Sequence, residues 1–154
     1  MEIKKLDKTG WNFLIQEEGL KLDPYRDDAG VPTIGIGMTY YPETGKRVTM
    51  KDKRLKDRTE AIRQFALILA PYEKTVWSAT RDDITQNMFN ALVSLCYNIG
   101  RSQKGFLGST VLKRVNADPT DKPGITEAFK MWRFADGQPI LLERRVREAV
   151  FFFS

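Results

Sequence analysis

The apolar residues of this chain keep a helical spacing at both ends and lose it in between, and this change constrains the fold most. In the segment Asp7–Glu18, one helical face is formed by Trp11, Leu14, Ile15 and Glu18. Thr9 or Asp7 can cap the start of this helix, and Gly19 can end it. Residues 20–50 instead alternate turn formers with short runs of Tyr, Val, Thr and Ile, which predicts two or three antiparallel strands. Because so small a sheet is marginally stable alone, the pattern predicts an α+β fold in which helices support it.

Helical spacing returns at Thr59 and continues toward the C-terminus. We expect Pro71 to bend or break the first of these helices, since proline lacks the backbone N–H that a helix interior needs. Asp82 or Asp83 is predicted to begin the next helix, and Gly100 to end it.

The C-terminal third predicts three shorter helices. Residues 117–124, which contain two prolines, are interpreted as a linker, and the helices are expected at 109–115, 126–134 and 141–152. The predicted organisation is one domain over residues 1–154, with a sheet-containing lobe at about 20–50 and a helical lobe at about 59–154 that includes the N-terminal helix.

The absence of histidine restricts the chemistry available to this chain. Ser-His-Asp and Cys-His catalysis need an imidazole and are excluded. Zinc sites usually need histidine or several thiolates, and Cys96 is the one cysteine, so no metal and no cofactor are expected. Hydrolysis would then depend on carboxylates, hydroxyls, lysine or tyrosine. Glycoside hydrolysis fits, because it needs two carboxyl groups, or one with a bound water.

The formal net charge of +5 favours polyanionic partners, among them nucleic acid, anionic membranes and bacterial cell wall. The basic residues are scattered without the interleaved aromatic side chains of nucleic-acid binders, so no nucleic-acid partner is expected. The N-terminus is charged and no segment has the length of a membrane span, which predicts cytoplasmic synthesis without a signal peptide and no stable membrane insertion. We expect a monomer.

Glu18 is the first candidate for a catalytic carboxyl group, because it ends an amphipathic helix on the apolar side. By position alone it could equally be an ordinary carboxylate at a helix end. Asp27 follows nine residues later, and Thr33 follows Asp27 by six residues and opens the run Thr-Ile-Gly-Ile-Gly. Asp28 is chemically as good a carboxylate as Asp27, so only the spacing selects Asp27.

The segment EGLKLDPYRDDAGVPTIGIG resembles the active-site stretch of the phage lysozyme family, glycoside hydrolase family 24. Downstream matches run in order over almost the whole chain: Gln86-Asn87, Asn90–Ser94, Tyr97–Gly100, Phe106, Ser109–Leu112, Trp132, Arg144-Arg145 and Glu148. Two positions depart from the family, with Met38 where histidine is frequent and Ile140-Leu141 where Gly-Leu is frequent. Neither departure removes a catalytic group.

The resemblance implies an endolysin-like muramidase that hydrolyses the β-1,4 bond from N-acetylmuramic acid to N-acetylglucosamine in peptidoglycan glycan strands after holin-type release. Glu18 would be the general acid. Asp27 would hold or activate the attacking water, or stabilise positive charge at the sugar carbon, and Thr33 would position that water. Candidate substrate-binding positions are Tyr25, Met38, Asn98, Phe106 and Arg145.

Arg144 and Arg145 have two possible roles. Either could pair with the acidic end of the first helix at Glu17 and Glu18, or both could belong to a solvated basic face. Two rival functions also stay open: a lytic transglycosylase, which forms an anhydro sugar without water, and a basic binding module without catalysis.

Overall fold

The computed structural model describes residues 2–154. Within them lie six α-helices, two β-strands and one 3-10 turn, which confirms the predicted α+β class. The helices are α1 (Lys8–Glu18), α2 (Arg58–Ala79), α3 (Gln86–Ile99), α4 (Thr110–Ala117), α5 (Lys122–Lys130) and α6 (Leu142–Phe152). The strands are β1 (Lys21–Arg26) and β2 (Pro32–Gly35), and the 3-10 turn is Phe106–Gly108.

The chain divides into two compact units. One comprises residues 12–70 and contains both strands; its buried apolar side chains include Leu14, Ile34, Ile36, Met38, Leu55 and Phe65. The other contains residues 2–11 and 71–154, and in it α6 packs against α3 and α5, and α5 packs against α4. The unit with the sheet is wider than residues 20–50, because it includes the end of α1 and the first part of α2.

Helix α1 begins and ends as its sequence predicts. Asp7 caps the start, because its Oδ1 accepts a hydrogen bond from the backbone N–H of Gly10 at 2.9 Å. Gly19 follows the last helical residue with a φ of +80°, a conformation that glycine adopts without strain. Glu18 is therefore held at the last position of a helix with a defined end.

The sheet is an antiparallel pair in which Tyr25 lies opposite Thr33 and Arg26 opposite Pro32. Beyond β2 the chain reverses again, because Ile34 and Met38 exchange both backbone hydrogen bonds at 2.9 and 3.0 Å. Within this reversal Gly35 and Gly37 have φ values of +64° and +58°. L side chains rarely adopt such values, so the two glycines make the tight reversal possible.

Helix α2 continues through Pro71, so of the predicted bend or break at this residue the break does not occur. Buried side chains recur with helical spacing on both sides of the proline, including Phe65, Leu69 and Val76, and their burial outweighs the lost backbone hydrogen bond. No helix of residues 2–154, α2 included, is both long enough and apolar enough to cross a membrane.

Two further helices begin elsewhere than the sequence predicts. Helix α3 starts after Thr85, whose hydroxyl accepts from the N–H of Met88 at 3.2 Å, and not at Asp82 or Asp83. Helix α5 starts at Lys122, inside the predicted linker 117–124. There the Oδ1 of Asp121 accepts from the N–H of Gly124 at 3.1 Å. In both cases the helix starts directly after a residue whose side-chain oxygen accepts a hydrogen bond from the N–H three residues later.

A buried carboxyl group holds the segment before α1. The backbone N–H of Leu6 donates to Oε2 of Glu73 at 2.8 Å, and Glu73 is 7% exposed. The side chain of Gln86 donates to the carbonyl of Lys5 at 3.0 Å, which holds the same segment. Burial raises the pKa of Glu73, against the opposing effects of the Leu6 N–H and the Lys5 charge.

Glu73→Gln is expected to stabilise the protein at neutral pH, because glutamine keeps an oxygen that accepts from Leu6 and removes a buried charge. The folded-state pKa is raised above the usual 4.5, so the folded protein binds this proton more tightly than the unfolded chain. Ionisation of buried Glu73 therefore costs no stability below the usual pKa of 4.5. The loss of stability develops as the pH rises through the raised pKa of the folded protein.

Urea unfolding measured in acid and at neutral pH tests this expectation. Variant and wild type should have similar stability in acid and diverge at neutral pH, with the variant more stable. Glu2→Gln, which alters an exposed carboxyl group in the same segment, is the matched control and should leave both values unchanged. A Glu73→Gln protein that is less stable than wild type at neutral pH would contradict the sign of the effect.

Candidate active site

Glu18 is a half-buried carboxyl group beside a glycine of the 34–38 reversal. A Cβ atom built on Gly37 would lie 3.8 Å from Oε1 of Glu18. Because glycine has no side chain, the carboxyl group faces the backbone of Gly37 directly. Local sequence explains the arrangement: α1 delivers Glu18 at its last residue, and the positive φ of Gly37 brings the chain back toward it.

Asp27 is fixed by the turn that it begins. Its Oδ1 accepts from the N–H groups of Ala29 at 2.9 Å and Val31 at 2.8 Å. Its own N–H donates to the carbonyl of Val31 at 3.0 Å, and its carbonyl accepts from Gly30 at 2.8 Å. Within residues 2–154 no hydrogen bond engages Oδ2. One oxygen therefore orients the group, and the other remains available to a ligand or water.

Thr33 is 2% exposed and pairs with Tyr25 across the sheet. Its hydroxyl donates to the carbonyl of Val31 at 2.8 Å, which orients the oxygen and uses its one proton. The lone pairs of that oxygen can still accept a hydrogen bond. A water that donates to this oxygen would also be able to donate to a carboxylate nearby.

Tyr25 links the two candidate carboxyl groups electrostatically. Burial raises the pKa of Tyr25, and the charges of Asp27 and Glu18 raise it further, in that order of size. The geometry agrees, because Tyr25 lies opposite Thr33 in the sheet and both Asp27 and Thr33 bond to the backbone of Val31. The structure thus brings together four sequence-selected residues: Glu18, Tyr25, Asp27 and Thr33. All of them belong to the unit formed by residues 12–70.

The other sequence-selected positions lie in different environments. Met38 is 2% exposed, as Thr33 is, and Phe106 and Arg145 are 0% exposed, so these three side chains are interior and their contact with substrate stays a prediction. Asn98 is exposed near the end of α3. A substrate contact by Asn98 or Tyr25 stays a prediction.

Arg144 and Arg145 are buried, so the interpretation as a solvated basic face is wrong. Both approach Glu148, with Arg145 Nε 2.7 Å from Oε1 and Arg144 Nε 3.4 Å from Oε2. Ser94 donates its hydroxyl to Oε2 of Glu148 at 2.5 Å. The proposed pairing of either arginine with Glu17 or Glu18 stays a prediction. The sequence does contain a signal for the pairs with Glu148, because Arg145 and Arg144 precede it by three and four residues in α6.

The closeness of Gly37 to Glu18 is a feature that sequence reasoning did not identify. Gly37→Ala is expected to lower activity severalfold, because its methyl group would lie 3.8 Å from Oε1 and exclude water from the carboxyl group. The positive φ also costs alanine about 1 kcal/mol of stability. Steady-state rates on whichever substrate the wild type cleaves, together with urea unfolding, measure both effects.

Gly45→Ala is the matched control, since Gly45 has a φ of +74° and no atom within 4 Å of the added methyl group. It should show the same loss of stability and full activity. Equal activity losses in the two variants would mean that backbone strain, and not the methyl group beside Glu18, is responsible.

No cluster of three or more potential metal-ligating Asp, Glu, Cys or His side chains occurs in residues 2–154. The side chains of the candidate site are two carboxyl groups, a phenol and an oriented hydroxyl. Such a set can donate a proton at one place and hold or deprotonate a water at another.

Comparison with known proteins places the chain in a family. Residues 15–148 match the family model described as Phage lysozyme. The endolysin of Salmonella phage P22 is 34% identical over 151 residues, which are 97% of this chain and 99% of that protein. A crystal structure of a P22 lysozyme mutant matches with a TM-score of 0.83 and 33% identity, covering 99% of this chain and all of the other (100%).

The muramidase domain of SpmX from Asticaccaulis excentricus matches with a TM-score of 0.71 and 30% identity over 99% of both chains. The predicted lysozyme-like architecture is therefore confirmed. Because the family model covers most of the sequence and the similarity to the P22 endolysin extends over nearly the full length, this chain belongs to the phage lysozyme family.

Proposed function

We propose that this chain is an endolysin-type muramidase that hydrolyses the β-1,4 bond from N-acetylmuramic acid to N-acetylglucosamine in bacterial peptidoglycan. The observation that carries the proposal is that one unit holds Glu18, at the end of α1 beside Gly37, together with the turn that orients Asp27 and the Thr33 hydroxyl. Two carboxyl groups at one site are what glycoside hydrolysis requires. Membership of the phage lysozyme family supports the same reaction.

In the proposed reaction Glu18 gives its proton to the glycosidic oxygen as the bond from that oxygen to the anomeric carbon breaks. Asp27 takes a proton from the water that attacks this carbon. The free Oδ2 of Asp27 and the accepting oxygen of Thr33 suit the two protons of one water. The proton then returns from Asp27 to Glu18 through solvent, which restores both groups.

Product analysis tests the reaction. Purified peptidoglycan is digested with the wild type, and the fragments are identified by mass spectrometry. Reducing muramic ends are expected, whereas anhydro-muramic ends would identify a lytic transglycosylase, and the absence of fragments would favour a binding module. Because Asp27 acts as a base toward water, the new reducing end should be inverted, and a retained configuration would contradict this role.

The proposal extends to the setting of the enzyme. We infer that a monomer is made in the host cytoplasm and reaches glycan strands after holin-type release, without nucleic-acid or membrane partners. Membership of the phage lysozyme family and similarity to the P22 endolysin support a phage setting for the enzyme. Sedimentation at micromolar concentration would contradict the monomer if it gave twice the mass of the chain.

A further inference from the structure

Lys21 is held on the face of the Tyr25 ring. Its Nζ is 4.3 Å from the centroid of the Tyr25 ring, a cation–π contact. Lys21 begins β1 and Tyr25 lies four residues on, where a straight strand would separate the two side chains widely. The irregular pairing between these two residues is the local change that accompanies their contact.

Two other cations of the same unit, Arg54 and Arg26, already bind acceptor groups of the protein. Arg54 lies 3.6 Å from the carboxylate of Asp23, and the guanidinium of Arg26 donates to the carbonyl of Gly30 at 2.9 Å. Lys21, by contrast, is exposed, and within residues 2–154 it forms no ion pair with a carboxylate. Its position is thus set by an aromatic ring that leaves the charge unneutralised.

This charge is close to the reacting groups. Tyr25 lies opposite Thr33 in the sheet and two residues before Asp27, and Lys21 lies opposite Gly35, two residues before the Gly37 that approaches Glu18. Two carboxyl groups in one site repel an anionic substrate, and the repulsion acts over several ångströms near a protein surface. A fixed ammonium group beside them offsets that repulsion on one side of the site.

We propose that Lys21 determines substrate specificity by binding a carboxylate carried on the muramic acid residue of the glycan, either in the stem peptide or in the lactyl group when the peptide is absent. The proposal rests on the peptidoglycan hydrolase function proposed above. Lys21 contributes to binding the substrate and takes no part in proton transfer. Tyr25 is a positioning residue for its ammonium group.

Hydrolysis of charged and neutralised substrates tests the proposal. Purified peptidoglycan is used as isolated, after its carboxyl groups have been converted to amides, and after an amidase has removed the stem peptides. Lys21→Gln is expected to raise KM about fivefold on native peptidoglycan, because that is the loss of affinity expected from removing one exposed ion pair. The value of kcat should change little. On the amidated substrate its KM should equal that of the wild type.

The stripped glycan distinguishes the two sources of the carboxylate. Removal of the stem peptide frees the lactyl carboxylate, so a KM defect of Lys21→Gln that persists on stripped glycan shows that Lys21 also binds the lactyl group. A defect that disappears shows that Lys21 binds a carboxylate of the stem peptide alone; either supports the proposal. Lys21→Arg should have a KM close to that of the wild type, because arginine keeps both the positive charge and the contact with the Tyr25 ring. Lys51→Gln, which removes an exposed charge of the same unit, is the matched control.

Two results would overturn the proposal while leaving the enzyme function intact: an unchanged KM for Lys21→Gln on native peptidoglycan, or the same loss on native and amidated substrates. The second result would show that Lys21 only stabilises the conformation of β1. A wild type that releases no fragments from any of the three substrates would instead overturn the proposed function, and the specificity role with it.

Discussion

Replacing Glu18 with glutamine is expected to lower kcat for peptidoglycan hydrolysis by roughly a hundredfold to ten-thousandfold, the usual contribution of a positioned general acid. Glutamine has nearly the shape of glutamic acid and cannot give a proton to the glycosidic oxygen. The neighbouring Gly37 leaves room for the amide, so substrate binding should change little. Release of reducing ends from purified peptidoglycan measures kcat and KM separately.

Glu17→Gln is the matched control, because it makes the same chemical change one residue earlier in α1. That variant should keep a kcat within about twofold of wild type. Urea unfolding should show that both variants are folded, since only folded protein tests the assignment. Full activity of Glu18→Gln would refute its role as the acid, and equal losses in both variants would point to the charge of the helix end instead.

Glu148→Ala is expected to destabilise the protein by about 3–5 kcal/mol, the cost of breaking a buried ion pair by removing one partner. Glu148 is 0% exposed and lies within 3.4 Å of guanidinium nitrogens of both Arg144 and Arg145. Alanine would deprive two buried cations of their shared carboxylate and leave a cavity. Ser94 would lose the acceptor of its hydroxyl proton as well.

Urea unfolding at neutral pH measures this loss. Glu127→Ala, which removes an exposed carboxylate 3.5 Å from Lys130, should change stability by at most about 1 kcal/mol. Glu148→Gln keeps an oxygen for Ser94 and fills the space, so it should fall between wild type and alanine. A Glu148→Ala protein as stable as the Glu127 variant would show that the buried network contributes little to the free energy of unfolding.

The parts of the fold that the sequence predicts well are those encoded within a few neighbouring residues. Helix α1 is an example, because its face, its Asp7 cap and its Gly19 end all lie within one short segment. The two-stranded sheet is another, since turn formers mark both of its ends. The candidate acids Glu18 and Asp27 both lie in the unit of residues 12–70, and their catalytic roles stay predictions.

The parts that were not predicted depend on packing between distant residues. A proline alone predicts a broken helix, but burial of Leu69 and Val76 on its two sides keeps α2 continuous. The burial of Arg145 at 0% exposure depends on the whole surroundings of α6, which local charge patterns do not report. Contact between Lys21 and Tyr25 depends on an irregularity of strand pairing that alternation rules do not contain.

The turn that orients Asp27 has a consequence for how this enzyme can change during evolution. All hydrogen bonds that fix the carboxylate come from backbone groups of Ala29 and Val31, so the exposed side chains at positions 28 and 29 can be exchanged freely. An inserted or deleted residue would instead shift every donor. The turn can therefore drift in sequence while its length is under selection, and library design at this site should vary residue type and hold residue number constant.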